Sequence, residues 1–219
     1  MPSNPFNTNF KRGILAVCGN LLVDFAVGEY NLLGFLYPYF VTYFRLYDPS
    51  ITMKSMATIP QLWLFAQMFS APIGIYIYMR LGFKLTYCLF ITWFAGAQII
   101  CSFIPNFTVF KVIYGLSGGF CQGALMILPL YCCWRYFDPK HKATVSGIIL
   151  SAYAIAPIFT SVLALKICNP GNLQQETVVD SMDQDIKVFP DEVGQNVPQF
   201  LRYFGVFCWV MGMTGVSLI

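Results

Sequence analysis

Two carboxyl side chains, Asp24 and Glu29, lie inside the first long apolar stretch of this sequence. A charged side chain in a bilayer costs at least ~2.5 kcal/mol by insertion scales, so an acidic residue there is a functional candidate. Asp24 shares one helical face with Asn20, Gly28 and Asn31, which follow helical spacing. This polar stripe is predicted to face a cavity or the bundle interior. Asp24 is then a proton carrier, a contact for a substrate cation, or a carboxyl hydrogen-bonded to a neighbouring helix.

Glu29 projects in a different direction from the stripe. At 100° per residue it points about 140° away from Asp24, so the two do not form a paired-carboxylate site. Glu29 is expected to pair with a helix outside this chain or to reach outward to the membrane surface.

A GxSG sequence at residues 115–118 presents Ser117 as a possible nucleophile, as in the rhomboid intramembrane proteases. That chemistry needs a histidine base within reach of the serine. The only histidine is His141, which lies in a basic loop between apolar segments. The sequence therefore predicts no enzyme and assigns no catalytic residue, metal or cofactor.

The composition places these residues in a membrane protein. Of 219 residues, 57% are hydrophobic and only 11% are charged, whereas soluble domains carry about 25% charged residues. The net charge of +3 therefore predicts no nucleic-acid partner, and the placement of the charges matters more than their sum.

Six segments contain the roughly 20 apolar residues that a membrane-spanning helix needs. The sequence predicts an all-α fold, a polytopic bundle of six transmembrane helices over residues 13–219, after a tail at residues 1–12. The overlong first segment is expected to tilt or bend near Pro38. Residues 169–198 are expected to form a long, solvated external loop. The six segments are 13–44, 56–79, 85–104, 110–131, 143–167 and 199–219.

Basic residues concentrate in alternate connections between these segments. The rule that cytoplasmic loops carry the excess of lysine and arginine predicts that both chain termini are cytosolic. The residues concerned are Lys11, Arg12, Arg80, Lys84, Arg135, Lys140 and Lys142.

The fourth segment carries Gly115, Gly119 and Gly123, spaced four apart. Such spacing leaves one helix face nearly bare and lets another helix approach closely within a bilayer. The fifth segment repeats the pattern with small residues that begin at Gly147, so these two segments are predicted to pack on each other.

Gln122 and Met126 continue the glycine-bearing face of the fourth segment at helical spacing. Both are candidates for the lining of a substrate pathway. Gln122 has an equally open alternative, a hydrogen bond to an adjacent helix.

Residues 74–84 resemble the loop between the second and third spans of the major facilitator superfamily, G-x-x-x-D-R-x-G-R-R. Arg80, Gly82 and Lys84 match this motif, while Met79 stands where the aspartate belongs. The resemblance implies that these residues, with Lys140, belong to the loops that gate the cytoplasmic side.

The connection between the fourth and fifth segments is similar to that of the oxalate:formate antiporter and monocarboxylate transporter-like branch. Cys121 and Ala143 replace two glycines of its signature, and Met126 replaces a substrate-facing tyrosine. The matching residues are Gly119, Gly123, Pro129, Trp134, Tyr136, Phe137, Lys140 and Gly147.

The resemblance implies the amino-terminal half of a twelve-span transporter that moves a small organic anion, a mono- or dicarboxylate, by alternating access. The basic residues that clamp the substrate in that branch belong to the second half, which this chain lacks. Expected partners are thus the lipid bilayer, a second six-helix half or another membrane protein, and the anion. The alternative is a transport-inactive six-helix remnant that serves as a structural subunit. The implied pathway residues are Asn20, Asp24, Asn31, Gln122 and Met126.

Overall fold

The computed structural model describes residues 5–179 and 185–219, and almost all of this part is helical. A short antiparallel hairpin of two strands, β1 and β2, pairs Glu176 with Val188. The prediction of an all-α fold is confirmed, with this hairpin as a small addition. The elements are α1 Pro5–Val27, α2 Leu33–Arg45, α3 Met53–Met56, α4 Thr58–Cys101, α5 Phe107–Trp134, α6 Lys142–Cys168, β1 Glu176–Val179, β2 Asp185–Val188, α7 Asp191–Gln195 and α8 Val197–Leu218.

Within the described residues, four helical segments are long and apolar enough to cross a membrane. This property indicates an integral membrane protein. The first helical stretch, which carries the buried carboxyl groups, is not among them. The four segments are Met53–Cys101, Phe107–Trp134, Pro139–Cys168 and Asp191–Leu218.

Helix α4 is a folded-back pair rather than one rod. Gly82 has φ +77° and ψ 172°, a conformation that favours glycine because a Cβ would be strained there. The rings of Trp63 and Phe94 lie 6.4 Å apart, whereas a straight helix would separate them by about 46 Å. Residues 58–81, the first arm, therefore lie beside residues 83–101, the second arm.

The first helical stretch is interrupted ahead of Pro38, the residue near which the sequence predicted a tilt or bend. Helix α1 ends at Val27, a 3₁₀ turn spans Gly28–Leu32, and α2 then continues through Pro38. At Gly28 a Cβ would lie 2.6 Å from the Cβ of Ala156. The break thus coincides with a close approach of α6.

The glycine face of α5 packs against the first arm of α4 and not against α6, which corrects the predicted partner. A Cβ on Gly115 would lie 3.0 Å from that of Leu62, and one on Gly119 would lie 2.7 Å from the carbonyl carbon of Trp63. Gly123 similarly faces the carbonyl oxygen of Gln67.

Gly147 does not take the packing role that the spacing predicted. It is exposed, and among the described residues no atom lies within 4 Å of the position that its Cβ would occupy. The small residues Ser151 and Ala154 on the same helix are exposed as well. Helix α6 instead uses Ala156 and its neighbours to meet the first helical stretch.

The basic connections meet at one end of the bundle. The guanidinium of Arg135 lies 5.7 Å from the ring centroid of Phe83, beside the turn at Gly82. A Cβ on Gly13, near the start of α1, would lie 3.1 Å from the ring of Phe137. The start of α1, the turn of α4 and the loop between α5 and α6 therefore share one face of the molecule.

The long acidic connection is anchored to the other end of the bundle, so it is not simply a solvated loop. The backbone N–H of Phe189 donates to Thr42 Oγ1 at 3.0 Å. Its ring stacks on Tyr39 at 4.8 Å. Gly194 packs against the backbone of Thr42. Residues 180–184, at the middle of this connection, lie outside the described residues.

Candidate functional site

Asn20 is fully buried and ties three helices together. Its Nδ2 donates to the carbonyl of Ala16 at 2.7 Å and to Cys133 Sγ at 3.3 Å. Its Oδ1 accepts from the hydroxyl of Tyr87 at 2.6 Å. Because both the oxygen and the nitrogen of its amide are hydrogen-bonded, Asn20 links α1 to the second arm and to α5.

Asp24 lies one turn further along α1 and is 1% exposed. Neither of its carboxyl oxygens has a hydrogen-bond partner among the described residues. Tyr87 and Cys133 are its polar neighbours. Buried polar atoms without partners are rare in folded proteins. Unlike Asn20, Asp24 thus keeps its bonding capacity for water, a proton or a ligand.

Gln122, like Asn20, makes three side-chain hydrogen bonds. Its Oε1 accepts from Trp63 Nε1 at 2.6 Å, and its Nε2 donates to the carbonyl of Val27 at 2.8 Å and to the Tyr153 hydroxyl at 2.9 Å. The amide orientation is unambiguous, because an indole N–H can only donate. Of the two roles left open for Gln122, the structure shows hydrogen bonds to adjacent helices.

The bond to Val27 lies at the interruption of the first helical stretch. Val27 is the last residue of α1, and the 3₁₀ turn begins at the next residue. Gln122 of α5 thus adds a side-chain hydrogen bond to the backbone at the point where the regular helix ends.

Glu29 lies within the 3₁₀ turn and is buried. This placement corrects the prediction that it would pair with a helix outside this chain or reach outward to the membrane surface. Its Oε2 accepts from Gln98 Nε2 at 2.5 Å. Its Oε1 is hydrogen-bonded to the hydroxyl of Tyr114. Cys101 and Cys208 lie near it. A third buried polar cluster therefore sits at the break.

Asn31 and Met126 are placed differently from the other pathway candidates. Asn31 is exposed in the 3₁₀ turn, so the stripe of four residues that regular spacing predicted is not formed. Met126 is half-buried, and its Sδ accepts from Gln67 Nε2 at 3.7 Å. Helical spacing could not place Asn31, because the turn changes the rotation between it and Asp24.

The predicted gating residues lie at the basic end, in the turn of α4 and the loop that follows α5. Arg80, Lys84 and Lys140 are exposed, and the guanidinium of Arg80 lies 5.5 Å from the Tyr76 ring centroid. The contact between the two loops is made by a pair that sequence reasoning missed, Arg135 over Phe83.

Phe83 is held by an aromatic stack. Its ring lies 4.0 Å from Tyr78 and 6.2 Å from Tyr87 by centroid. The unusual run of aromatic residues around Gly82 was the available sequence signal. Arg135, stacked over the Phe83 ring, joins the turn of α4 to the loop after α5 by a cation–π contact. In this turn Met79 stands where the motif of the resemblance has an aspartate.

Comparison with known proteins finds no family model that matches this chain and no curated protein that matches it.

Proposed function

We propose that this chain is one half of a facilitator-type secondary transporter for a small organic anion, with the substrate pathway beside the interrupted first helix. The observation that carries the proposal is the 3₁₀ turn Gly28–Leu32, with Glu29 buried in it and the Val27 carbonyl bonded by Gln122. In secondary transporters, discontinuous membrane helices mark the substrate and coupling-ion sites near the midplane.

The proposed half crosses the membrane six times. The two arms of α4 contain 24 and 19 residues by their numbering, 58–81 and 83–101. At 1.5 Å per residue they measure about 36 and 28 Å, and the hydrocarbon core of a bilayer measures about 30 Å. Each arm is therefore a separate crossing, and the interrupted stretch α1–α2 supplies the sixth.

We place the basic end of the bundle in the cytosol. The exposed side chains Lys84, Arg135 and Lys140 lie there, and cytoplasmic connections carry the excess of lysine and arginine. Both chain ends then lie toward the cytosol. Gly13 of α1 packs against Phe137 at the basic end, and Gly19, less than two turns further along α1, packs beside Gly215 and Ile219 at the end of the chain.

A transporter of this type requires a second bundle. Alternating access is a rocking of two units around a central site, and this chain supplies one unit. The exposed small residues Gly147, Ser151 and Ala154 of α6 provide a face on which a second six-helix unit can pack closely. The basic groups that hold the anion would come from that unit.

The alternative is a structural subunit that no longer transports. It is favoured by the bonding of Asn20 and Gln122, whose amide groups are engaged inside the chain. Asp24, with both carboxyl oxygens unpartnered among the described residues, favours the transporter.

An aqueous pathway should make Met126 reactive. We expect a hydrophilic, membrane-impermeant thiol reagent to modify a cysteine at Met126 much faster than one at Met68, which is 76% exposed and faces lipid. The variants carry serine in place of the exposed native Cys18, and labelling is followed by mass spectrometry on vesicles of both orientations.

A cysteine at Lys140 is the marker of sidedness and should react only from the cytosolic face. Equal rates at residues 126 and 68 would favour the structural subunit over the transporter. Reaction of the residue 140 variant from the outside alone would reverse the proposed orientation.

The need for a second unit predicts that the 219-residue chain does not transport alone. Liposomes that contain only this chain should take up formate, oxalate or lactate no faster than protein-free liposomes, measured with radiolabelled anions. Saturable uptake that Asp24→Asn abolishes would show instead that copies of this chain form the complete carrier.

A further inference from the structure

The pocket of Glu29 is assembled from most of the bundle. The carboxyl comes from the 3₁₀ turn, Gln98 and Cys101 from the second arm, Tyr114 from α5 and Cys208 from α8. Tyr37 of α2 lies near the hydroxyl of Tyr114. Glu29, Gln98, Tyr114 and both cysteines are buried. Side chains from the second arm, α5 and α8 thus surround a single carboxyl of the 3₁₀ turn, and Tyr37 of α2 lies beyond Tyr114.

No lysine, arginine or histidine in the described part of the chain is shown paired with this carboxyl. Its hydrogen-bond partners are Gln98 and Tyr114, which are both uncharged side chains. An ionised carboxylate in hydrocarbon without a cation is costly. The group therefore needs a proton or a metal ion to be neutral.

The geometry favours a proton over a metal ion. Sodium or calcium would require several oxygen ligands around the carboxylate. Gln98 Nε2, a donor only, lies 2.5 Å from one carboxyl oxygen, and the Tyr114 hydroxyl occupies the other. Of the other neighbours, Cys101 and Cys208 offer sulfur, which is a poor ligand for such hard cations. Gln98 Oε1, which has no partner among the described residues, adds a single oxygen, fewer than such a cation requires.

We propose that Glu29 is a proton-binding site that is occupied in this conformation and emptied when the bundle opens, so that a proton is the coupling ion of the transporter. In the occupied form the Gln98 amide donates to the carbonyl oxygen of Glu29, and the acid O–H donates to the Tyr114 hydroxyl, which can accept as well as donate. On opening, the O–H bond breaks and the proton passes to water. No other bond changes.

The proton site is linked by direct contacts to Gln122, the side chain that hydrogen-bonds to the end of α1. The ring of Tyr114 lies 5.7 Å from that of Trp63, edge to face. Trp63 donates to Gln122, and Gln122 donates to Val27, two residues before Glu29. A change of bonding at Tyr114 would therefore shift Trp63 and Gln122. This inference rests on the proposed function, because only a transporter uses a coupling ion.

Infrared spectroscopy of the purified chain in lipid tests the proton site directly, without transport. At neutral pH we expect the carbonyl band of a protonated carboxylic acid, and we expect Glu29→Gln to remove one component of it. Glu192→Gln, on an exposed glutamate, is the matched control and should leave the band unchanged. Tyr114→Phe should shift the Glu29 component to higher frequency without abolishing it, because the carboxyl loses a hydrogen-bond partner.

An unchanged carboxylic-acid band in Glu29→Gln, or a Glu29 carboxylate signal that responds to added sodium, would overturn the proposal. If Glu29→Gln fails to fold, an unshifted band in Tyr114→Phe would overturn it equally. The infrared result is independent of the labelling at Met126. Loss of the Glu29 component together with an unreactive cysteine at residue 126 would contradict the transporter proposal and indicate a proton-binding structural subunit.

Discussion

Gly119→Ala is expected to lower the free energy of unfolding by about 3 kcal/mol, at the upper end for overpacking of a close interface. The new Cβ would lie 2.7 Å from the carbonyl carbon of Trp63, and closer still to its oxygen. These are backbone atoms of the first arm of α4, so no side-chain rotation can make room. The two helices must separate, and the contacts along the whole glycine face weaken together.

The measurement is reversible unfolding in mixed detergent micelles, followed by circular dichroism. Gly147→Ala and Gly96→Ala are matched controls, because each is a helical glycine with no atom within 4 Å of its Cβ position among the described residues. Alanine is the better helix former by about 1 kcal/mol, so both controls should be neutral or stabilising. If all three variants behave alike, the close approach at Gly119 is not a determinant of stability.

Gln122→Met is expected to cost about 3 kcal/mol of stability. The substitution keeps the size of the side chain but removes the acceptor of the Trp63 indole N–H and the side-chain donor to the Val27 carbonyl. A buried donor left without its acceptor costs about 1–3 kcal/mol, and a second buried hydrogen bond is lost with it. The loss should be largest in lipid or detergent, where water does not replace the missing bonds.

Gln61→Met is the control, since Gln61 is also a glutamine within a long apolar helix but its side chain is exposed. It should change stability by less than about 0.5 kcal/mol. Combining Gln122→Met with Trp63→Phe should cost less than the sum of the single changes, because both variants remove the same hydrogen bond. Additive losses would mean that the bond between them contributes nothing.

The class of the fold and the positions of the helices follow from the sequence alone. The predicted segment 143–167 corresponds to α6 at Lys142–Cys168, and 110–131 lies inside α5 at Phe107–Trp134. Such agreement is expected, because backbone groups within a bilayer must be satisfied within their own segment. The length of an apolar run and its flanking residues then determine where a helix begins and ends.

The partners of each helix face were decided only by the tertiary structure. Spacing showed that α5 has a bare face, but not that the first arm would occupy it in place of α6, because a glycine stripe accepts any helix of suitable shape. The position of the break was equally hidden, since Pro38 is tolerated within α2. Gly28 interrupts the helix where Ala156 approaches.

The chemistry of the candidate site depends on the same long-range packing. Regular helical rotation placed Asn31 with Asp24, and the 3₁₀ turn removed it to the surface. Glu29 found partners in Gln98 and Tyr114, 69 and 85 residues along the chain. A sequence shows that a carboxyl lies within a membrane segment. Which donors surround it is set by how the helices cross, because hydrogen bonds act over about 3 Å and no local pattern encodes that distance.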